Sequence, residues 1–323
     1  MKPGHRIEYL DTAKGIAICS VISAHCNLVP DGSPRITIMQ SALLNNLSRT
    51  GVILLFIISG YLYHVRNAGS GYVFRKIRSL IWPWIISGII VYLYVHLRKP
   101  PLTFAGLLNF LLGVGSYLYY LTVLCAFYLI FYVSVMRKRA VLLICIIVGY
   151  AHTILIPNGL GNFINPYLNI LNWIQYFAIG VFLHENKMME TVKFRSLLRI
   201  LFPLLYFVII VIFSIDGLRI EYWSGWNPII STIGAIAIFI MATYISNISY
   251  SDVLKSIGKS TLFIYLWHMP IAGIVTKLFG KKALLQFVLI RPIVVLLVVY
   301  LAMNLLDNIL ENRISIKRII GLR

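Results

Sequence analysis

The sequence predicts an all-α polytopic membrane protein, a bundle of about ten transmembrane helices with both termini in the cytoplasm. Three observations carry this. Apolar residues fill 59% of the 323 positions and charged residues 12%, against about 25% charged in soluble domains. Mean hydropathy is +0.85. Apolar runs of about 17–22 residues recur along the whole chain, each long enough to cross a bilayer as a helix. A soluble fold of this size has too little interior for so much apolar surface.

The first run, Thr12–Pro30, holds Lys14 and His25 and has no convincing small-residue cleavage site, so it reads as a retained span rather than a signal peptide. Further spans follow at Leu43–His64, Ile77–His96, Gly115–Val135, Ala140–Ile156, Tyr167–His184, Leu197–Ile215, Pro228–Ser246, Thr261–Phe279 and Phe287–Leu306. Gly106–Gly113 suits a short interfacial helix before the fourth span. Every loop is short, with no repeat or low-complexity tract. Residues 1–323 therefore form one integral membrane domain, and any chemistry sits in the helical bundle or at its faces.

The net charge of +19 needs no nucleic-acid partner, because cytoplasmic loops gather Lys and Arg. With the N-terminus inside, twenty of the 29 Lys and Arg fall on the inner side, Arg75–Arg78, Arg137–Arg139 and Arg313–Arg318 among them. The Lys277–Lys282 loop runs against this bias. Cys19, Cys26, Cys125 and Cys145 lie in apolar stretches, with no CxxC and no Cys/His cluster of metal-ligand spacing. No metal is expected.

Ionisable groups inside spans are costly and mark candidate sites. Lys14 and His25 are eleven residues apart, three helical turns plus about 20°, so they share one face about 16 Å apart along the axis. A snorkelling lysine and a core histidine is the other reading of the pair. Arg75 and Arg78, three apart, face one way, and paired guanidinium groups suit phosphate oxygens; a plain positive-inside flank also fits. Arg49 lies about as far from the outer end of the second span as His25 does in the first, so the two can share a layer, unless Arg49 is an interfacial anchor. His268 stands beside Pro270, which predicts a kink, and either lines a polar cavity or caps a freed carbonyl.

Four segments in order resemble the acyltransferase-3 family of bacterial membrane acyltransferases, including its fucose-4-O-acetylase-like branch. Arg6 through His25, with ten residues between Lys14 and His25, looks like the N-terminal signature. Arg49-Thr50-Gly51-Val52 through Ser59-Gly60-Tyr61 resembles the apolar run closing in Ser-Gly-Tyr. Arg75-Lys76-Ile77-Arg78 with Trp82-Pro83 is similar to the Arg-x-x-Arg motif. Tyr265, His268 and Pro270 match the late motif. Lys14 replaces the commoner Arg, the aromatic pair before Ser59 is reduced to Phe56, and tyrosines 117, 119 and 120 stand where a tryptophan is frequent.

The resemblance implies a multi-pass protein of the bacterial cytoplasmic (inner) membrane that transfers an acetyl group from cytoplasmic acetyl-CoA to a sugar hydroxyl. The acceptor it implies is a cell-envelope polysaccharide or its lipid-linked precursor. It implies His25 as the catalytic residue and Arg75 and Arg78 as CoA contacts, with Lys14 beside them; Arg49, Tyr265 and His268 are expected at the substrate. Membrane lipid is the surrounding partner. A secondary transporter or lipid-linked sugar flippase is the rival, since intramembrane charges serve an aqueous path equally well.

Overall fold

The computed structural model describes residues 8–26, 29, 32–63, 71–96, 101–156, 165–186, 195–248, 251–279 and 288–322. Regular structure among them is helical, as hydrocarbon demands of a backbone that must satisfy its own hydrogen bonds. The helices are α1 (Glu8–Cys26), α2 (Arg35–Ser48), α3 (Thr50–Tyr61), α4 (Gly71–His96), α5 (Phe104–Leu112), α6 (Tyr119–Ile130), α7 (Arg139–Leu155) and α8 (Ile174–Glu185). They continue as α9 (Arg195–Ile215), α10 (Asn227–Ile245), α11 (Asp252–Lys259), α12 (Thr261–Phe279), α13 (Ile290–Ile309) and α14 (Ile314–Ile320).

Apolar side chains cover the outside as well as filling the core, and a few polar side chains are buried among them. Ile147, Leu204, Ile293 and Leu301 face outward, whereas Asn46, Thr50, Gln175 and His268 are fully buried. Five stretches among the described residues are long and apolar enough to span a membrane by themselves: Arg35–Tyr61, Gly71–His96, Asn227–Ile245, Thr261–Leu278 and Ile290–Ile309. The chain is a multi-pass membrane protein.

Four predicted spans differ from the structure, the one expected at Ile77–His96 by starting at Gly71. The span expected at Leu43–His64 begins earlier, because α2 runs from Arg35 and meets α3 at Arg49, itself helical (φ −60°, ψ −27°). Residues 35–42 looked like loop because α2 is inverted: Ser41, Ala42, Asn45, Asn46 and Ser48 point inward while Ile36 and Ile38 point out. Gly115–Val135 contains the 12-residue α6 and the start of a 3-10 turn at Ser134–Arg137, and Tyr167–His184 is a 3-10 turn at Ile170–Asn172 followed by the 12-residue α8. Twelve residues rise about 18 Å, short of the bilayer's core of about 30 Å. Apolar side chains had filled the hydropathy window whether or not the backbone was helical.

Non-helical backbone at that depth requires partners, and side chains supply them. Ser116 Oγ donates to Phe110 O at 2.7 Å, Asn172 Nδ2 to Pro166 O at 2.8 Å and Trp173 Nε1 to Tyr167 O at 3.0 Å. The short helix expected at Gly106–Gly113 appears as α5, capped by Thr103 Oγ1 accepting from Gly106 N at 3.0 Å. Helices α11 and α14 were not foreseen. The expected span ends at Pro30, His64 and Phe287, and Lys281 and Lys282, lie outside the described residues.

Helix α1 is the central strut, packing on α2, α3, α10, α11, α12 and α13. Its approach to α11 is so close that a Cβ on Gly15 would strike the Leu254 carbonyl, and one on Gly258 the Asp11 carbonyl. Gly60 and Gly180 do the same between α3 and α8. Small residues at such crossings are how membrane helices gain van der Waals contact. Lys255 Nζ meets Glu8 Oε2 at 2.7 Å across the α1–α11 crossing, which raises the lysine's pKa.

Candidate active site

The α1 face predicted to carry Lys14 and His25 reaches two cavities, one at each end. The first, about 160 Å³, is lined by Lys14, Lys76 and Lys259 together with Ser59, Tyr63, Tyr72, Tyr120, Tyr128 and Tyr265. It lies where α1 begins, α3 and α6 end, and α4 and α12 start. Lys14 Nζ also sits 3.6 Å from Asp11, a buried carboxylate one turn earlier. Arg75 and Arg78 are exposed on the second turn of α4, off this wall; the residue between them that lines it is Lys76. Neither Lys76 nor Lys259 was singled out from sequence, although Lys76 lay inside the motif.

The second cavity, about 520 Å³, lies toward the other end of α1. Its wall includes His25, Asn45, Arg49, Ser116, Tyr117, Tyr119, Asn165, Tyr167, Tyr222 and Met269. His25 and Arg49 thus meet in one layer, and His25 is exposed to the cavity. The irregular segments before α6 and α8 supply Gly113, Gly115, Ser116, Tyr117, Asn165 and Tyr167 to this wall, which accounts for non-helical backbone in the bundle. Arg49 lies over the Tyr222 ring at 4.4 Å. Tyr222 is held there because Asn46 stitches its loop and the end of α9 to α2: Oδ1 accepts from Ile220 N at 2.7 Å, and Nδ2 donates to Leu218 O at 2.9 Å and to Ser214 Oγ of α9 at 3.1 Å. Tyr222 and Asn46 gave no signal in the sequence.

The cavities share no lining residue. Between them stands a layer of Tyr117, Tyr120, Tyr265 and His268. Ring centroids are 5.4 Å apart for Tyr120–Tyr265, 5.8 Å for Tyr117–Tyr265 and 5.3 Å for Tyr117–His268. Tyrosine rings therefore separate the Lys14 cavity from the His25 cavity.

Pro270 explains the layer's hydrogen bonding. Lacking an N–H, it leaves the carbonyl four residues earlier, Leu266 O, without its helical donor. Tyr117 Oη donates to that oxygen at 2.7 Å, and Tyr265 Oη donates back to Tyr117 O. Helix α12 runs through Pro270, and the tyrosine rather than His268 caps the freed carbonyl. His268 is fully buried. Its Nδ1 lies 2.6 Å from Tyr265 O, which fixes Nδ1 as the protonated nitrogen, and its Nε2 has no partner among the described residues. The His268 ring is 5.1 Å from that of His25.

The arrangement offers a cationic pocket on one side, a polar aromatic pocket on the other, and two imidazoles at the divide. Among the described residues no group of three or more His, Cys, Asp or Glu is placed to hold a metal ion. Residues 7–305 match the family described as an acyltransferase domain, acyltransferase-3. No curated protein and no solved structure matched the chain.

Proposed function

We propose a reaction for this chain, which belongs to the acyltransferase-3 family of membrane acyltransferases: transfer of an acetyl group from acetyl-CoA to a sugar hydroxyl of a cell-envelope polysaccharide or its lipid-linked precursor. Within the family we read it as fucose-4-O-acetylase-like, in the bacterial cytoplasmic membrane, with the Lys14 cavity facing the cytosol and both termini inside. Family membership decides against the transporter.

The observation that carries the reading is His25 on the wall of a sugar-sized polar cavity, one tyrosine layer from a pocket of three lysines. Lys14, Lys76 and Lys259 would receive the CoA phosphates, with Arg75 and Arg78 on the same turns of α4 catching the outermost oxygens. The pantetheine arm enters when Tyr120 and Tyr265 rotate aside, bringing the thioester carbonyl to His25 and His268.

A neutral His25 takes the proton of the acceptor hydroxyl as its oxygen attacks the thioester carbon. The C–O bond forms, the C–S bond breaks, and the imidazolium returns the proton to the departing CoA sulfur. General-base assistance of this kind contributes about 10²–10⁴-fold. His268, with Nδ1–H committed to the Tyr265 carbonyl and Nε2 without a partner among the described residues, would accept the His25 N–H once that ring turns toward it, and so orient it for the reaction. The test is purified His25→Ala, assayed for acetyl transfer from acetyl-CoA to the surface glycan. Transfer should vanish with folding and acetyl-CoA binding intact; retained transfer overturns the assignment.

A further inference from the structure

Among the described residues Arg49 is the one permanently charged side chain on the wall of the His25 cavity, and none of those lining it is Asp or Glu. Arg49 enters no ion pair among the described residues, and its buried Nε has no hydrogen-bond partner there. A cation inside a membrane bundle is costly without a counter-charge. Snorkelling does not relieve it: Arg49 lies in the middle of the Arg35–Tyr61 helical run, between the buried Ser48 and Thr50. Tyr222 covers the guanidinium at 4.4 Å, and Asn46 fixes the loop that brings Tyr222 there. The side chain is therefore held in place by Tyr222, with its Nε still to be satisfied and no counter-charge among the described residues.

We infer that the acceptor brings the missing charge: the His25 cavity takes an anionic sugar, whose carboxylate or phosphate oxygens pair with Arg49 while a hydroxyl reaches His25. The remaining wall fits such a ligand. Asn45, Asn165 and Ser116 offer polar atoms for hydroxyls, and the tyrosine rings offer flat apolar faces with polar edges. A planar guanidinium matches either oxyanion bidentately. The source is a uronic acid in the glycan or a phosphate on a lipid-linked sugar, and the probes below separate the two. This inference rests on the acyltransferase reading, which assigns the cavity to the acceptor.

The experiment titrates the full-length protein in detergent at low ionic strength with glucose, glucuronate and glucose 1-phosphate, following tryptophan and tyrosine fluorescence. Wild type should bind one or both anions about tenfold or more tighter than glucose, the size of one charge-assisted contact. Arg49→Gln should bring all three within about twofold of one another, and Arg49→Lys should keep part of the preference. Acetyl-CoA affinity, read at the opposite cavity, shows that both variants are folded. Glucuronate or glucose 1-phosphate standing out identifies the source. Glucose binding as tightly as the anions, no binding of any probe, or an equal loss of all three in Arg49→Gln overturns the inference. His25→Ala separates the two claims: retained acetyl transfer there sinks the acyltransferase mechanism and leaves the anion preference standing.

Discussion

The imidazoles of His25 and His268 face each other with centroids 5.1 Å apart, one ring open to a cavity and the other fully buried. The buried ring has its protonated nitrogen pinned to a backbone carbonyl and its other nitrogen without a partner. On the proposed mechanism, that asymmetry assigns His268 to positioning His25. His268→Ala should lower kcat about 10–100-fold with the KM for acetyl-CoA little changed, as for an interaction made mainly in the transition state. His268→Gln, which keeps an acceptor, should recover part of the rate. A variant whose KM rises while kcat holds would assign His268 to binding.

The three lysines of the first cavity predict the donor's affinity. Lys76→Ala and Lys259→Ala should each weaken acetyl-CoA binding about tenfold, since a hydrogen bond to a charged group contributes about 1.5–3 kcal/mol. The loss should be smaller for Arg75→Ala and Arg78→Ala, because both side chains are exposed and solvent screens their contribution. Affinity should fall with added salt in the wild type. Calorimetric titration in detergent checks the ranking, and equal effects at all four positions would remove it.

Tyr117→Phe leaves the Leu266 carbonyl without a donor, a penalty of about 1–3 kcal/mol for a buried group. The variant should melt at lower temperature. Pro270→Ala restores the helical N–H, so the double variant Tyr117→Phe/Pro270→Ala should regain most of the lost stability. Simple addition of the two effects would show that the tyrosine does not serve this carbonyl.

Gly258→Ala forces a Cβ onto the Asp11 carbonyl, and overpacking of this kind costs about 1–3 kcal/mol. Because the strain falls on the α1–α11 crossing that carries Lys14 and Lys259, acetyl-CoA binding should weaken along with thermal stability. A stable variant with normal donor affinity would mean the helices separate freely.

The site was legible where helix geometry alone decides. The eleven-residue spacing put Lys14 and His25 on one face, and the matching depths of His25 and Arg49 brought them to one cavity. It was illegible where tertiary contact decides. Arg75, Lys76 and Arg78 span nearly a full turn, so charge content could not say that Lys76 would face inward. The half-length α6 and α8 escaped because hydropathy counts apolar side chains and not their dihedral angles. Asn46 escaped because nothing local marks an asparagine whose partners lie some 170 residues away.

That last contact has a wider bearing. The strip bearing Tyr222 is joined to α2 through side chains, Asn46 to Leu218 and Ile220, Asn45 to Ile220 and Arg219 to Ser41, instead of through a β-ladder or a shared helix. Such a joint lets the strip behave as an exchangeable cassette. Altering its length or its aromatic residues would change what the pocket grips, while Asn46 keeps the replacement docked and the imidazoles stay where they are.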